Sequence, residues 1–261
     1  MSFQENTVAL SSGPLAYHVA GDGPPVIHMH AASGFRATAA LEALAQSFRI
    51  YAPVTPGFDG TATHDGVASM EALARLEAEF ADTVIGETAD VIGHSFGGWR
   101  ATWYTVLHPQ KVGQLVLECP AGFREEGVGG LSPDPEELQR RLYAHPEKLP
   151  PETKPESMVT RNREMLAHYH GGKAKDDALV DRLNEIEALT LILHGTKDGA
   201  IPISSPRLLK RLIPRAFLIY VYDAAHAIEV DQPEYFTGLV GDFLTRGEAF
   251  LVNPGTDDRA A

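Results

Sequence analysis

The chain has 261 residues, of which 44% are hydrophobic and 22% charged; that balance excludes a disordered chain and suits one large domain, alone or with an insertion. Its 22 Lys and Arg face 35 Asp and Glu, a net charge of −13, so the surface repels phosphate backbones and anionic bilayers, and neither nucleic acid nor a membrane is expected as a partner. A single cysteine, Cys119, excludes an intrachain disulfide and an all-cysteine metal site, and residues 1–20 lack a basic-then-apolar leader pattern, so the cytoplasm is the expected location.

Turn signals and apolar runs then alternate along the chain. Residues 3–10 and 14–20 read as two strands of a hairpin around Ser11-Ser12-Gly13. Further strands are expected at 26–30, 48–54, 90–92 and 114–118. Helices are expected at 37–47, 70–84 and 96–107; Leu73, Leu76 and Phe80 fall at helical spacing, and His108-Pro109 stops the third helix. Residues 121–187 break the alternation, with Gly-rich and Pro-rich pieces and polar helical patterns near 134–144, 156–169 and 176–187. It resumes with a strand at 189–195, a helix at 204–213, a strand at 216–222 and a helix at 233–245, and residues 247–261 read as a loose tail. The expectation is an α/β fold: a mostly parallel eight-stranded sheet with helices on both faces, built from 1–120 and 188–261, with 121–187 inserted as a helical cap over one sheet edge.

Chemistry concentrates at Gly93-His94-Ser95-Phe96-Gly97, a G-x-S-x-G pentapeptide between a strand and a helix. A turn that sharp strains its apex and lifts the Ser95 hydroxyl above the sheet edge, at a helix start whose unpaired N–H groups favour developing negative charge. A serine needs a base at neutral pH, and the adjacent His94 points away on a tight turn, so a packing role is expected for it. His28 and His30 share one face of a strand, a spacing that can bind zinc. With no third ligand evident, His30 is expected to brace the loop after the strand and His28 to pack in the sheet; no metal is expected. Trp99 and Trp103, at i and i+4, and Cys119 are expected to pack.

The strand–Ser95–helix unit within an interrupted α/β alternation resembles the α/β-hydrolase fold family, the Ser-Asp-His hydrolases with a helical cap, over nearly the whole chain. The family order of nucleophile, acid and histidine implies Ser95, then Asp198 just past the strand in LILHGTKDG, then His226 in the loop DAAHAIE. Asp223 is a rival acid within the His226 loop. The resemblance implies an oxyanion hole from the backbone N–H groups of Phe96 and of Ala32, in His30-Ala31-Ala32-Ser33-Gly34, where relatives often carry Gly at the position of Ala31. Pro56-Gly57-Phe58-Asp59-Gly60 is similar to a family turn. The implied mechanism passes through an acyl-serine and uses no metal or organic cofactor.

Serine rather than aspartate at 95 argues against dehalogenases and epoxide hydrolases. The expected function is a serine hydrolase of a small carboxylic ester or lactone. The alternative is hydrolysis of carbon–carbon bonds in ring-cleavage products, which are vinylogous diketones; a cofactor-free perhydrolase or a hydroxynitrile lyase is also compatible. A further alternative is a small-molecule receptor with slow turnover. Phe123, Met158, Met165 and Tyr169, with Leu166, are the expected substrate-binding residues, and Arg161 and Arg163 are candidates for a substrate carboxylate.

Overall fold

The structure is a computed structural model that describes residues 2–151 and 153–251. Its sheet contains β1 (Gln4–Leu10), β2 (Gly13–Ala20), β3 (Pro25–Met29), β4 (Arg49–Pro53), β5 (Ala89–His94), β6 (Val112–Glu118), β7 (Leu189–Gly195) and β8 (Ala216–Val221). The spatial order is β1-β2-β4-β3-β5-β6-β7-β8. The pairs β1–β2 and β2–β4 are antiparallel and every later pair is parallel.

The helices are α1 (Ala39–Leu44), α2 (Met70–Phe80), α3 (Phe96–Leu107), α4 (Pro135–Leu142), α5 (Glu156–His170), α6 (Asp177–Val180), α7 (Ser204–Leu212), α8 (Ile228–Asp231) and α9 (Pro233–Arg246). Strand alternation divides the core in two. Ile27, Met29, Val91, Leu115, Leu117 and Ile192 pack on the face covered by α2, α3 and α7. Val26, Ile92, Val116, Leu191 and Leu193 point the other way, onto Leu41 of α1 and Phe236, Val240 and Phe243 of α9. Residues on both sides of β7 are buried throughout, as expected of a parallel strand sandwiched by helices. This double covering places the carboxyl ends of β3, β5, β6, β7 and β8 along one edge, where an open α/β sheet presents its ligand site.

Between β6 and β7 no strand joins the sheet; the described residues hold α4, α5, α6 and two isolated bridges to Lys175. Side chains anchor this insertion to the sheet domain at several places. Trp99 and Trp103 of α3 both donate their indole N–H to Asp176 Oδ2, at 2.9 and 2.8 Å. Asn162 of α5 donates to the Ser33 carbonyl at 2.9 Å and to Asp59 Oδ1 at 2.7 Å. The buried Asp231 of α8 accepts from Ala144 N at 2.9 Å and His145 N at 2.8 Å, and Ala227 N donates to the Leu142 carbonyl at 3.1 Å.

Two expectations need correction, and one short helix is added. The helical pattern at 176–187 yields only the four-residue α6 and a 3-10 turn, Leu183–Glu185, because Asp176 caps the first turn and Leu179 and Leu183 turn into the core. The added helix is α8, which starts two residues after His226 and carries too few residues for a periodic signal. The tail expected at 247–261 begins as a 3-10 turn, Gly247–Leu251, with the Phe250 ring 5.3 Å from Phe243 and 6.1 Å from Phe217; positions 252–261 lie outside the described residues.

Candidate active site

Ser95 joins β5 to α3 with φ 56° and ψ −113°, a conformation costing a non-glycine residue on the order of 1–3 kcal/mol. Surrounding bonds hold it there: its N–H donates to the Glu118 carbonyl at 2.9 Å, and its carbonyl accepts from Ala121 N at 2.9 Å and Trp99 N at 3.2 Å. The glycine at 97 is required by space, since a Cβ there would sit 1.8 Å from the Met29 carbonyl oxygen.

A cavity of about 130 Å3 contains Ser95 and His226 on its wall, with Ala32, Phe96, Trp99, Leu131, Leu166 and Ile201. Residues that are 131 positions apart therefore meet at one void. The His226 ring is backed by Asp198: Nδ1 lies 3.0 Å from Asp198 Oδ2. A carboxylate can only accept, so Nδ1 carries the proton and the lone pair of neutral His226 is left on Nε2. The second Asp198 oxygen accepts from Ala200 N at 2.8 Å and Ile201 N at 2.9 Å. Burial pushes the Asp198 carboxyl up, but the imidazole, its hydrogen bond and the Ile201 amide outweigh that and hold it below the usual aspartate range. Asp223 takes no part in this cluster; it pairs outward with Lys197 and with His145, at 2.9 Å from Nε2.

The loop carrying His226 is held from beneath. His94 Nε2–H donates to the His226 carbonyl at 3.0 Å. Glu118 Oε1 accepts from Glu229 N at 3.0 Å, and Asp231 Oδ2 accepts from Ala225 N at 2.7 Å. His94 thus does more than pack: it fixes the backbone of the histidine.

Ala32 and Phe96 both line the Ser95 cavity, Phe96 as the first residue of α3. The loop carrying Ala32 is fastened inside and out. His30 Nε2 accepts from Thr55 N at 3.0 Å, so its Nδ1–H donates to the Ala31 carbonyl at 2.8 Å. Asp59, at φ 51°, accepts from Phe35 N at 2.9 Å and pairs with Lys154 at 2.8 Å.

The expected substrate contacts are largely displaced. Leu166 lines the cavity, but Phe123, Met158, Met165 and Tyr169 do not. Phe123 and Tyr169 are buried in the core, and the Tyr169 hydroxyl donates to the Pro56 carbonyl at 2.6 Å. Met158 lines a separate cavity beside Asp59 and Lys154, while Met165 packs over Gly57. Arg163 lines a third cavity with Arg36 and Tyr143. The cationic residues on the Ser95 cavity are instead Arg124 and Lys173, beside His170, whose imidazole burial holds toward the neutral form, and no Asp or Glu is on its wall among the described residues. Trp99 is both anchor and wall, with His170 stacked on it at 5.4 Å. Asn162, Asp176 and Asp231 carry no sequence signal of burial; all three are buried, yet Asn162 and Asp176 fall in polar helical patterns that look like surface and Asp231 falls between the expected elements.

A parallel sheet interrupted after its sixth strand, with a serine on the strained turn after β5 and a histidine–aspartate pair beyond β8 and β7, is the arrangement of an α/β hydrolase. A family profile described as "Alpha/beta hydrolase family" matches residues 19–238, and the chain belongs to that family. It is 29% identical over 270 residues to a 2-hydroxymuconate semialdehyde hydrolase of Pseudomonas sp. (strain CF600), covering 90% of this chain and 92% of that one. It is 27% identical over 252 residues to a 2-hydroxy-6-oxo-2,4-heptadienoate hydrolase of Pseudomonas putida, covering 87% and 91%. Among solved structures, a meta-cleavage product hydrolase from Pseudomonas fluorescens superposes with a TM-score of 0.78 at 23% identity, over 92% of this chain and 97% of that one, and shares the fold. No helix among the described residues is long and apolar enough to cross a membrane.

Proposed function

We propose that this α/β hydrolase cleaves a carbon–carbon bond in a small anionic vinylogous diketone, the class of compound made by oxidative ring opening. Ser95 is the nucleophile, His226 the base and then the acid, and Asp198 the group that holds the imidazole tautomer. The Ala32 and Phe96 amides receive the oxyanion. The single observation that carries the substrate class is the lining beside Ser95, where Arg124 and Lys173 stand with no Asp or Glu on the wall among the described residues. That lining suits a substrate carboxylate. The near full-length likeness to hydrolases named for 2-hydroxymuconate semialdehyde and 2-hydroxy-6-oxo-2,4-heptadienoate supports the same reading.

Addition of a nucleophile to the ketone makes the far carbon the leaving group. That is feasible only when the electron pair delocalises into a conjugated carbonyl, which a dienoate supplies. Water enters overall, giving a carboxylic acid and a hydroxydienoate. Residues 121–187 act in this reading as a cap that encloses the substrate. Ester or lactone hydrolysis is the second reading, because the same three side chains suffice for it without a group that protonates carbon.

A 2-hydroxy-6-oxo-dienoate and a series of 4-nitrophenyl acyl esters, compared in steady state, test the proposal. The expected result is multiple turnover of the dienoate with kcat/KM at least tenfold above the best ester. Ester turnover with the dienoate untouched overturns the substrate class in favour of the second reading. One product retained per chain, without turnover of either, overturns the enzyme in favour of a receptor.

A further inference from the structure

Beneath the His226 loop, four buried side chains from four elements converge: His28 of β3, His94 of β5, Glu118 of β6 and Glu229 of α8, none more than 6% exposed. Their hydrogen bonding is incomplete. His94 spends its Nε2–H on the His226 carbonyl, so its Nδ1 presents a lone pair, 3.8 Å from Glu229 Oε1. His28 Nε2 lies 3.8 Å from Glu229 Oε2, and neither His28 nitrogen has a hydrogen-bond partner. Glu118 Oε2 and Glu229 Oε2 have none either. Ligand atoms of His94, Glu118 and Glu229 all lie within 4.8 Å of one another. A void of about 30 Å3 opens at His28, His94 and Glu229, room for one small ion or water.

The His94 Nδ1 lone pair faces Glu229 Oε1 in a dry interior, neutral His28 leaves one ring N–H and one lone pair unmet, and each unmet buried polar group costs about 1–3 kcal/mol. The other charges nearby do not remove the difficulty. Arg100, which faces His28, is already paired with the buried Glu77. The Arg36 charge and the Thr38 hydroxyl act on Glu229 from the oxyanion-loop side, and Asp231 adds negative charge near Glu118.

We infer that this cluster is a binding site for one divalent transition-metal ion of the zinc class, held by His28 Nε2, His94 Nδ1 and the carboxylates of Glu118 and Glu229. Two imidazoles with carboxylates are a donor set for such an ion. Ligands about 2.0–2.1 Å from a tetrahedral metal stand roughly 3.4 Å apart, so each 3.8 Å gap must close by about half an ångström. His30 is not a ligand, because both its ring nitrogens are already engaged. The ion joins β3, β5 and β6 to α8, whose Glu229 lies three residues after His226. Its part is structural: it fastens the loop that carries the histidine and does not touch the Ser95 cavity.

The test uses purified full-length protein stripped with a chelator and dialysed, then titrated with ZnCl2. Expected are one zinc per chain by elemental analysis, a rise in Tm of several degrees, and a Co2+ form with visible d–d absorption. Glu229→Gln and His28→Gln, checked for fold by circular dichroism, should each weaken zinc at least 100-fold. Should either fail to fold, the wild-type cobalt spectrum still decides, since nitrogen–oxygen tetrahedral ligation gives intense bands. Three results overturn the inference. One is less than a tenth of an equivalent bound, with Tm unmoved by excess zinc. Another is zinc retained equally by both variants, which places it at surface groups such as His145 and Asp223. The third is stability that responds to pH near 7 but not to metal, which shows that a proton on Glu229, pushed up to about 7 by burial, occupies the place of the ion.

Discussion

Asp198 spends one oxygen on His226 and the other on two backbone amides, so an amide side chain can satisfy only part of the set. In Asp198→Asn the Nδ2 group faces His226 Nδ1 and forces the proton to Nε2, where the ring can no longer accept one from Ser95. The expected fall in kcat is about 10^3–10^4-fold, while Ser95→Ala removes turnover to a similar or greater extent and keeps the fold; kcat with a fluorophosphonate label on residue 95 checks both. The folded Asp198 carboxyl sits below its ordinary value, so its stabilising contribution is full above pH ~3.9 and is lost as pH falls through the folded value. Urea midpoints of wild type and Asp198→Asn should therefore converge on going from pH 5 to pH 3.

Asp90 shows the opposite sign. Burial raises it to about 6, with only the Gln114 amide bond opposing. The native state binds the extra proton between about pH 4 and 6, so stability falls as pH rises through that window. Asp90→Asn should be more stable than wild type at pH 8 by about 1–2 kcal/mol, allowing for partial exposure, and equal to it at pH 4; paired thermal melts at the two pH values decide. The convergence of Ser95, Asp198 and His226 was legible because order along an α/β chain maps onto one sheet edge. The cavity wall was not, because an apolar residue in a helical pattern reads the same whether it packs on a core or borders a void. Met165 and Leu166 are neighbours in sequence, yet only Leu166 reaches the cavity.

At the level of elements, Asp176 is the single acceptor for two indoles on α3. Asp176→Ala leaves two buried N–H groups unpaired, an expected loss of about 2–4 kcal/mol. Because Trp99 also forms cavity wall, KM should rise more than kcat falls; a denaturation midpoint and steady-state kinetics measure the two effects. The buried pair of Arg100 on α3 and Glu77 on α2 is a sharper case. Glu77→Ala strands a guanidinium and should cost about 3–5 kcal/mol, whereas Glu77→Leu with Arg100→Met should recover most of it. Glu77 is a charged residue on the buried face of α2, whereas Asp176 is the buried N-cap of α6. Sequence periodicity locates α2 and α3 well, including the end of α3 at Leu107, but it carries no sign of which charged residue turns inward. The shortest elements, α6 and α8, fall below the length at which a 3.6-residue pattern can be recognised.

For the molecule as a whole, strand–helix alternation foretold eight strands and an insertion after the sixth, because parallel strands require crossovers and the crossovers here are helices. What composition could not convey is how firmly the insertion is attached. Asp231 joins its backbone, through Ala144 and His145, to the same loop that bears His226. Asp231→Ala should therefore lower kcat by more than about tenfold with little change in KM, and hydrogen exchange should quicken in 142–148 and 223–231 together.

The flank at 127–131 is held to the sheet domain through backbone, the Gly130 N–H donating to the Ala200 carbonyl at 2.6 Å. Leu131 borders the void around Ser95 and yet is 44% exposed, next to Val128 at 47%. Leu131 thus gives the void an exposed apolar edge beside the glycine-rich stretch at 127–130. Bulk at residue 131 would then govern how fast large compounds arrive and depart, while leaving the chemistry of small ones unaltered.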